Sequence, residues 1–288
     1  MTMSVNEWHK QGQFIPFKSI KLFAAASGSP ANPPILALHG FPTASYDYAR
    51  IVPLLVDQFY VVAFDFPGFG FSDKPTNYAY SIFDHADAAE TIANHYGIDQ
   101  RPFTLLMHDM GDSVGLELLK RKSLPVNQIV MLNGSVLLKY YQPLITQRLL
   151  LHPIMGKIIT GLGLIKRGTF ARQFGSVFAS PPPEAEIDEF WNLVTHNHGD
   201  KIYHLLIRYL NERALHEYTW LDALKTHPAP LTILWGERDP VSVSAIADAV
   251  KTYRPDARDI RLPEIGHYPQ WEAPETIAAV IQGLENGT

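Results

Sequence analysis

Hydrophobic positions along this chain gather in short runs separated by longer amphipathic stretches. Ile35–Leu38, Tyr60–Phe64, Phe103–Met107, Ile129–Leu132 and Leu231–Trp235 are apolar or nearly so from end to end. The absence of in–out alternation predicts strands covered on both faces, and their interleaving with helix-length segments predicts a mainly parallel sheet. Phe14–Phe17 and Ile20–Ala25 predict an antiparallel hairpin on the sheet edge, and Ile260–Leu262 a short late strand. Helices are expected over Val243–Tyr253 and after Pro274. The sum is an α/β fold, a mainly parallel eight-stranded sheet with helices on both faces.

The rhythm stops between Leu132 and Leu231. Residues 135–227 hold apolar helical segments and no strand, interrupted by a Ser-Pro-Pro-Pro break at Ser180–Pro183. A block of this kind between two sheet strands predicts an inserted helical lid, leaving residues 1–134 and 228–288 as the core. Neither an internal repeat nor a low-complexity tract is present.

Composition narrows the function classes. The 288 residues include no cysteine, which removes a disulfide scaffold, a Cys-ligated metal centre and a thiol nucleophile. The net charge of −5, with no long basic run, argues against nucleic acid or an anionic membrane as the main partner. Hydrophobic residues make up 46% and charged residues 18%, so a large buried core is expected rather than disorder. The apolar stretch Leu149–Ile165 is broken by His152, Pro153, Gly156 and Lys157, so it reads as a buried or lid helix, not a membrane span. Residues 1–12 lack a signal-peptide apolar region. The expectation is a cytoplasmic, cofactor-free protein, monomeric or homodimeric, that binds no metal.

Ligands of open α/β sheets bind at the carboxyl ends of the strands. Three polar groups lie there: His108-Asp109-Met110-Gly111, Gly236-Glu237-Arg238-Asp239-Pro240, and Gly266-His267-Tyr268-Pro269. Asp109, Asp239 and His267 follow the nucleophile–acid–histidine order of α/β-hydrolases, with the inserted block between nucleophile and acid.

Together with His39-Gly40-Phe41-Pro42 and Asp65-Phe66-Pro67-Gly68-Phe69-Gly70-Phe71-Ser72, these motifs make the chain resemble the α/β-hydrolase superfamily. The resemblance spans residues 35–275 and lies with the aspartate-nucleophile branch of epoxide hydrolases and haloalkane dehalogenases. His39–Tyr48, Phe66–Pro75, Tyr80-Ser81-Ile82-Phe83 and His267-Tyr268-Pro269-Gln270 are most similar to the mesoderm-specific-transcript subfamily.

The resemblance implies Asp109 as nucleophile, His267 as base and Asp239 as its orienting acid. The backbone N–H groups of Phe41 and Met110 would form the oxyanion hole. Gly111-Asp112-Ser113-Val114-Gly115 spells the serine-hydrolase elbow, but the elbow must follow the strand directly. Ser113 would lie a turn inside the helix, so Asp109 is the expected nucleophile and a serine-type carboxylesterase the alternative.

A carboxylate nucleophile suits displacement at sp³ carbon. Haloalkane dehalogenases hold halide with a Trp after the nucleophile and a second Trp or Asn. Met110 and Phe41 stand at those positions here, and Phe41 fits epoxide hydrolases. Epoxide opening also needs lid acids. Arg208-Tyr209-Leu210-Asn211-Glu212-Arg213 resembles the lid motif that supplies one, making Tyr209 a candidate, with Tyr140 and Tyr141 as candidates for the second. The expected partners are a small apolar substrate and water. A low-turnover hydrolase-like binding protein is the alternative of another class.

Other polar residues have structural readings. His39 is expected to fix a turn and His108 to pack or bond behind the elbow. Asp65 with Gly68 and Gly70 reads as a turn after a strand, because Asp73 replaces the glycine of a phosphate loop. His196 and His198 read as a lid loop rather than a metal pair. Asn133 is expected to orient a water or cap a turn. Trp191, Trp220, Phe170, Phe174 and Phe178 are expected to form core or pocket wall.

Overall fold

The computed structural model describes residues 3–285. Eight strands form one sheet: β1 (Gly12–Phe17), β2 (Ile20–Ser27), β3 (Pro34–Leu38), β4 (Tyr60–Phe64), β5 (Phe103–Met107), β6 (Val126–Leu132), β7 (Leu231–Gly236) and β8 (Arg258–Leu262). Their order is β1-β2-β4-β3-β5-β6-β7-β8. β1 pairs antiparallel with β2 and β2 antiparallel with β4, and every other pairing is parallel. The unalternating runs behave as expected, because β3, β4, β5 and β7 are buried at every position.

The differences lie where polar residues enter a strand. β6 begins three residues before its apolar run, with Val126 and Gln128 partly covered and Asn127 exposed. β8 is an edge strand in which none of Arg258–Leu262 is fully buried, so only its Ile260–Leu262 end stands out in the sequence. A helix at Val5–Gln11, not anticipated from the sequence, is closed by a capping box between Ser4 and Glu7. It buries Trp8, whose indole N–H donates to Ser45 Oγ at 3.1 Å.

Between β6 and β7, residues 133–230 contain no strand. The main helices are Ile145–Leu151, Pro153–Gly161, Arg167–Gly175, Glu184–Thr195 and Tyr209–Thr226. The last lies against the Met110–Arg121 helix, where Trp220 donates to Glu117 Oε2 at 2.8 Å. The segment joining the middle helices crosses the carboxyl end of the sheet, and Phe178 stacks on Tyr268 with ring centroids 4.8 Å apart. No helix among the described residues is long and apolar enough to cross a membrane.

Candidate active site

The turn from β5 into the Met110–Arg121 helix is tight enough to force an unusual backbone. Asp109 sits at its apex with φ +52° and ψ −110°, a conformation that non-glycine residues rarely adopt. Gly111 permits the turn, since a Cβ there would lie 2.3 Å from the carbonyl oxygen of Leu38. The Asp109 N–H donates to the Asn133 carbonyl at 3.1 Å and the His108 N–H to the Leu38 carbonyl at 3.1 Å, fixing the elbow to both neighbouring strand ends.

The three residues expected to act together come together. The Phe41 N–H donates to Asp109 Oδ1 at 2.8 Å. Asp109 Oδ2 lies 3.7 Å from His267 Nε2, too long for a hydrogen bond but within reach of the charge. On the far side of the ring, His267 Nδ1 donates to Asp239 Oδ2 at 2.6 Å. Asp239 also accepts from the Val241 and Ser242 N–H groups at 2.8 and 2.9 Å and from Asn133 Nδ2 at 2.9 Å, so its carboxylate is locked. Met110 opens the helix, where a first-turn N–H has no acceptor inside the helix.

Burial works against an imidazolium at His267, but the Asp239 carboxylate, its hydrogen bond and then Asp109 outweigh it. The ring is raised to about 9. The inserted segment helps to hold it, because the His267 N–H donates to the Val177 carbonyl at 2.9 Å. Glu272 accepts from the Ala179, Gly266 and Tyr268 N–H groups around the same loop.

Ser113 is fully buried one turn beyond Asp109 and accepts from Arg213 Nε at 2.9 Å. It does not line the cavity. Arg213, from the Tyr209–Thr226 helix, also donates through Nη2 to the Asp109 carbonyl at 3.3 Å, and its guanidinium stands 4.9 Å from the Tyr209 ring centroid. Its Nη1 has no partner. Asp112 is buried with both carboxyl oxygens unpartnered. Burial, and next the charge of Asp109, push its proton affinity well above the usual range and favour the neutral acid beneath the elbow.

A cavity of about 140 Å³ opens over Asp109 and His267. Its wall is mostly apolar and includes Phe41, Leu144, Leu150, Ile159, Phe170 and Phe174, with Tyr203, Gln147 and Gln173 among its polar groups. Phe170 and Phe174 thus serve as pocket wall, whereas Trp191 packs behind Phe170 with centroids 5.3 Å apart. Tyr209 is buried with its ring 6.1 Å from that of Phe41. Tyr141 is also buried, and its hydroxyl has no partner. Burial raises both phenols, and the next contribution in each case is the charge of Asp109. Tyr140 differs: it is half-buried, and the Lys139 ammonium lies over its ring. None of the three is part of the cavity wall.

The remaining polar residues are structural. His39 Nδ1 donates to the Gly40 carbonyl at 2.8 Å, so Nε2 is bare and accepts from the Phe66 N–H at 3.0 Å. Burial lowers His39 to about 3. His108 donates through Nε2 to the His267 carbonyl at 2.7 Å, directly behind the elbow. Asp65 accepts from Ser45 and from the Phe71 N–H, organising the turn after β4. Asn133 bridges the strand ends: its Oδ1 accepts from the Gly236 N–H at 2.7 Å and its Nδ2 donates to the Gly236 carbonyl at 2.9 Å. Among the described residues no group of three or more His, Cys, Asp or Glu is arranged to hold a metal ion.

The sequence pattern of the alpha/beta hydrolase family matches residues 35–280. LipZ of Mycobacterium tuberculosis is 39% identical over 293 residues, 98% of each chain. The mesoderm-specific transcript protein of Mus musculus is 31% identical, over 99% of this chain and 89% of its own. Among solved structures, the haloalkane dehalogenase DatA of Agrobacterium tumefaciens superposes with TM-score 0.79 at 20% identity, over 95% of each chain. The epoxide hydrolase CorEH superposes with TM-score 0.75 at 19% identity, over 94% of this chain and 97% of its own. At such identities the structural likeness is one of fold. The chain belongs to the alpha/beta hydrolase family.

Proposed function

We propose that this alpha/beta hydrolase opens small, mainly apolar epoxides to diols through a covalent ester on Asp109. The observation that carries the reading is the posture of the Asp109 carboxylate. Oδ1 rests on the Phe41 N–H while Oδ2 faces His267, on a backbone kink that points the side chain at the cavity. In the first step Oδ2 attacks a ring carbon, the carbon–oxygen bond breaks, and the ring oxygen takes a proton from Tyr209 or Tyr141, which lie just behind the cavity wall within the field of Asp109 and turn inward when the epoxide binds. The raised proton affinity of both phenols keeps them in the donor form. Residues 135–227 serve as the lid that supplies these donors, over a core of residues 1–134 and 228–288.

In the second step His267 removes a proton from water and the hydroxide adds to Cγ of Asp109. Charge then develops on Oδ1, already seated on the Phe41 N–H, with the Met110 N–H as the second donor. Collapse expels the diol alkoxide, which takes the imidazolium proton. The regenerated Asp109 acid returns its proton to the tyrosinate, so the balance is epoxide plus water to diol. Esterification also removes the negative charge of Asp109, one of the groups that raise His267, and so frees the base when it is needed.

The second reading is haloalkane dehalogenation by the same carboxylate. It is favoured by the 25% identity, over 93% of the chain, to haloalkane dehalogenase 2 of Mycobacterium bovis. The Phe41 and Met110 side chains offer a departing halide no hydrogen bond, which supports the epoxide. A single turnover in heavy-oxygen water tests the ester. If Asp109 is the nucleophile, the first diol carries light oxygen from the carboxylate and the heavy atom remains on the protein. Heavy oxygen in the first diol means that water attacks the epoxide directly, and the proposal fails.

A further inference from the structure

We propose that the outer face of the inserted helices docks on an anionic phospholipid surface, from which lipid-dissolved substrate enters the cavity. Docking stands on its own observations; only the delivery of substrate rests on the reading of the cavity given above.

The first observation is apolar exposure. Of the eleven large hydrophobic side chains exposed among the described residues, seven fall within residues 145–164. They are ordered. Ile145 and Leu149, 76% and 39% exposed, stand one turn apart on the first inserted helix. Ile154, Ile158 and Leu162, at 65%, 44% and 70%, follow the same spacing along the second and its end. The opposite sides of these helices, through Gln147, Leu150 and Ile159, wall the cavity. Leu164 is both half-exposed and part of that wall, so the apolar face continues into the cavity. A contiguous outward apolar face of this kind marks an interaction surface.

The second observation is charge, and it revises the inference drawn from the net balance. Residues 118–183 contain nine Lys and Arg and no Asp or Glu, in a chain whose overall charge is −5. Lys139, Arg148, Lys157, Lys166 and Arg172 form no ion pair with a carboxylate in the described structure. Exposed aliphatic stripes flanked by unpaired cations suit the boundary of a bilayer, apolar side chains entering between headgroups and cations meeting phosphates. Two copies apposed through this face would instead set Arg148 and Lys157 against like charges, which disfavours self-association there.

Sedimentation of the full chain with phospholipid vesicles, without substrate, tests the docking. The chain is expected to pellet with phosphatidylcholine vesicles containing phosphatidylglycerol, and about tenfold more weakly with phosphatidylcholine alone or at high salt. Ile154→Asp/Ile158→Asp and Arg148→Glu/Lys157→Glu, neither of which touches the Asp109–His267 machinery, should each weaken pelleting about tenfold, with circular dichroism unchanged. The proposal is overturned if the wild type stays in the supernatant with anionic vesicles, or if both variants pellet as the wild type does. It is also overturned if the wild type is a dimer that ignores vesicles and Ile154→Asp/Ile158→Asp makes it monomeric, because the face is then a contact between copies. A failure here leaves the oxygen-labelling result on Asp109 untouched, so the two proposals fall separately.

Discussion

The Phe41 N–H holds Oδ1 of Asp109 at 2.8 Å, across 68 residues of sequence. A carboxylate anchored there has one oxygen on a backbone donor and the other free toward His267, 3.7 Å away. In the proposed mechanism that posture gives each oxygen of Asp109 a separate task, one as nucleophile and one as the seat of the later oxyanion.

The two phenols are separable by substitution. Tyr209→Phe or Tyr141→Phe should slow epoxide alkylation roughly a hundredfold, the usual range for a positioned acid, and the double variant further. Displacement of bromide from a bromoalkane by the same carboxylate needs no proton and should be nearly unchanged. Rapid-mixing measurement of the alkylation step with both substrates checks this; equal losses for both would remove the phenols from the acid role. Tyr140→Phe, at a half-buried side chain over which Lys139 sits, should leave both steps as they are.

In the proposed mechanism Asp239 acts on the imidazole rather than on substrate. Asp239→Asn keeps the shape but no longer favours Nδ1–H, so ester hydrolysis should fall about a thousandfold or more. Alkylation should fall far less. A single-turnover experiment that resolves the two steps will show the ester accumulating; equal slowing of both would assign Asp239 a purely structural part.

The pH dependence has two consequences with definite sign. His267 is raised above its ordinary 6.5 to about 9, so the folded protein binds this proton more tightly than the unfolded chain. Its contribution to stability is complete below 6.5 and is lost as pH rises through about 9. The difference in unfolding free energy between wild type and His267→Gln should therefore shrink across that window. Kinetically, ester hydrolysis needs the neutral ring and should rise with pH, with a midpoint below about 9 because the ester has removed the Asp109 charge. A hydrolysis rate flat across this range would exclude His267 as the base.

Asn133 ties β6 to the β7 end and holds Asp239. Asn133→Ala strands the buried Gly236 N–H and removes one donor from the Asp239 carboxylate. Urea unfolding should register a loss of about 2–4 kcal/mol, from one or two unsatisfied buried groups. A loss below about 0.5 kcal/mol would mean that water replaces the amide.

Much of this was readable from residue order, and the exceptions have physical reasons. Ile35–Leu38 and Phe103–Met107 announce themselves because a strand covered on both faces admits few polar residues. Only the Ile260–Leu262 end of β8 is legible, because the strand lies at an edge where Arg258, Asp259 and Arg261 are tolerated. The Val5–Gln11 helix is too short for a periodic signal, although Ser4 and Glu7 spell its capping box. Asp109, Asp239 and His267 could be singled out because strand ends bring distant loops together. Tyr203 and Arg213 could not, because they come from helices whose inward face is set only by packing across the sheet end. Arg213 lies within the very motif that points to Tyr209, yet only the fold puts its guanidinium beneath the Asp109 carbonyl. Asp112 is overshadowed by the Gly-x-Ser-x-Gly string that contains it, a string whose serine is bonded to Arg213 away from the cavity.

The covalent ester is the core of the account, and trapping it is the most direct test. His267→Gln removes the base while leaving Asp109 on its elbow, so incubation with a panel of small epoxides should add one substrate mass to the intact protein, located on the peptide bearing Asp109. A bromoalkane adduct with no epoxide adduct would replace epoxide opening with dehalogenation. A phosphonate adduct on Ser113 of the wild type, with Asp109 unlabelled throughout, would contradict the account.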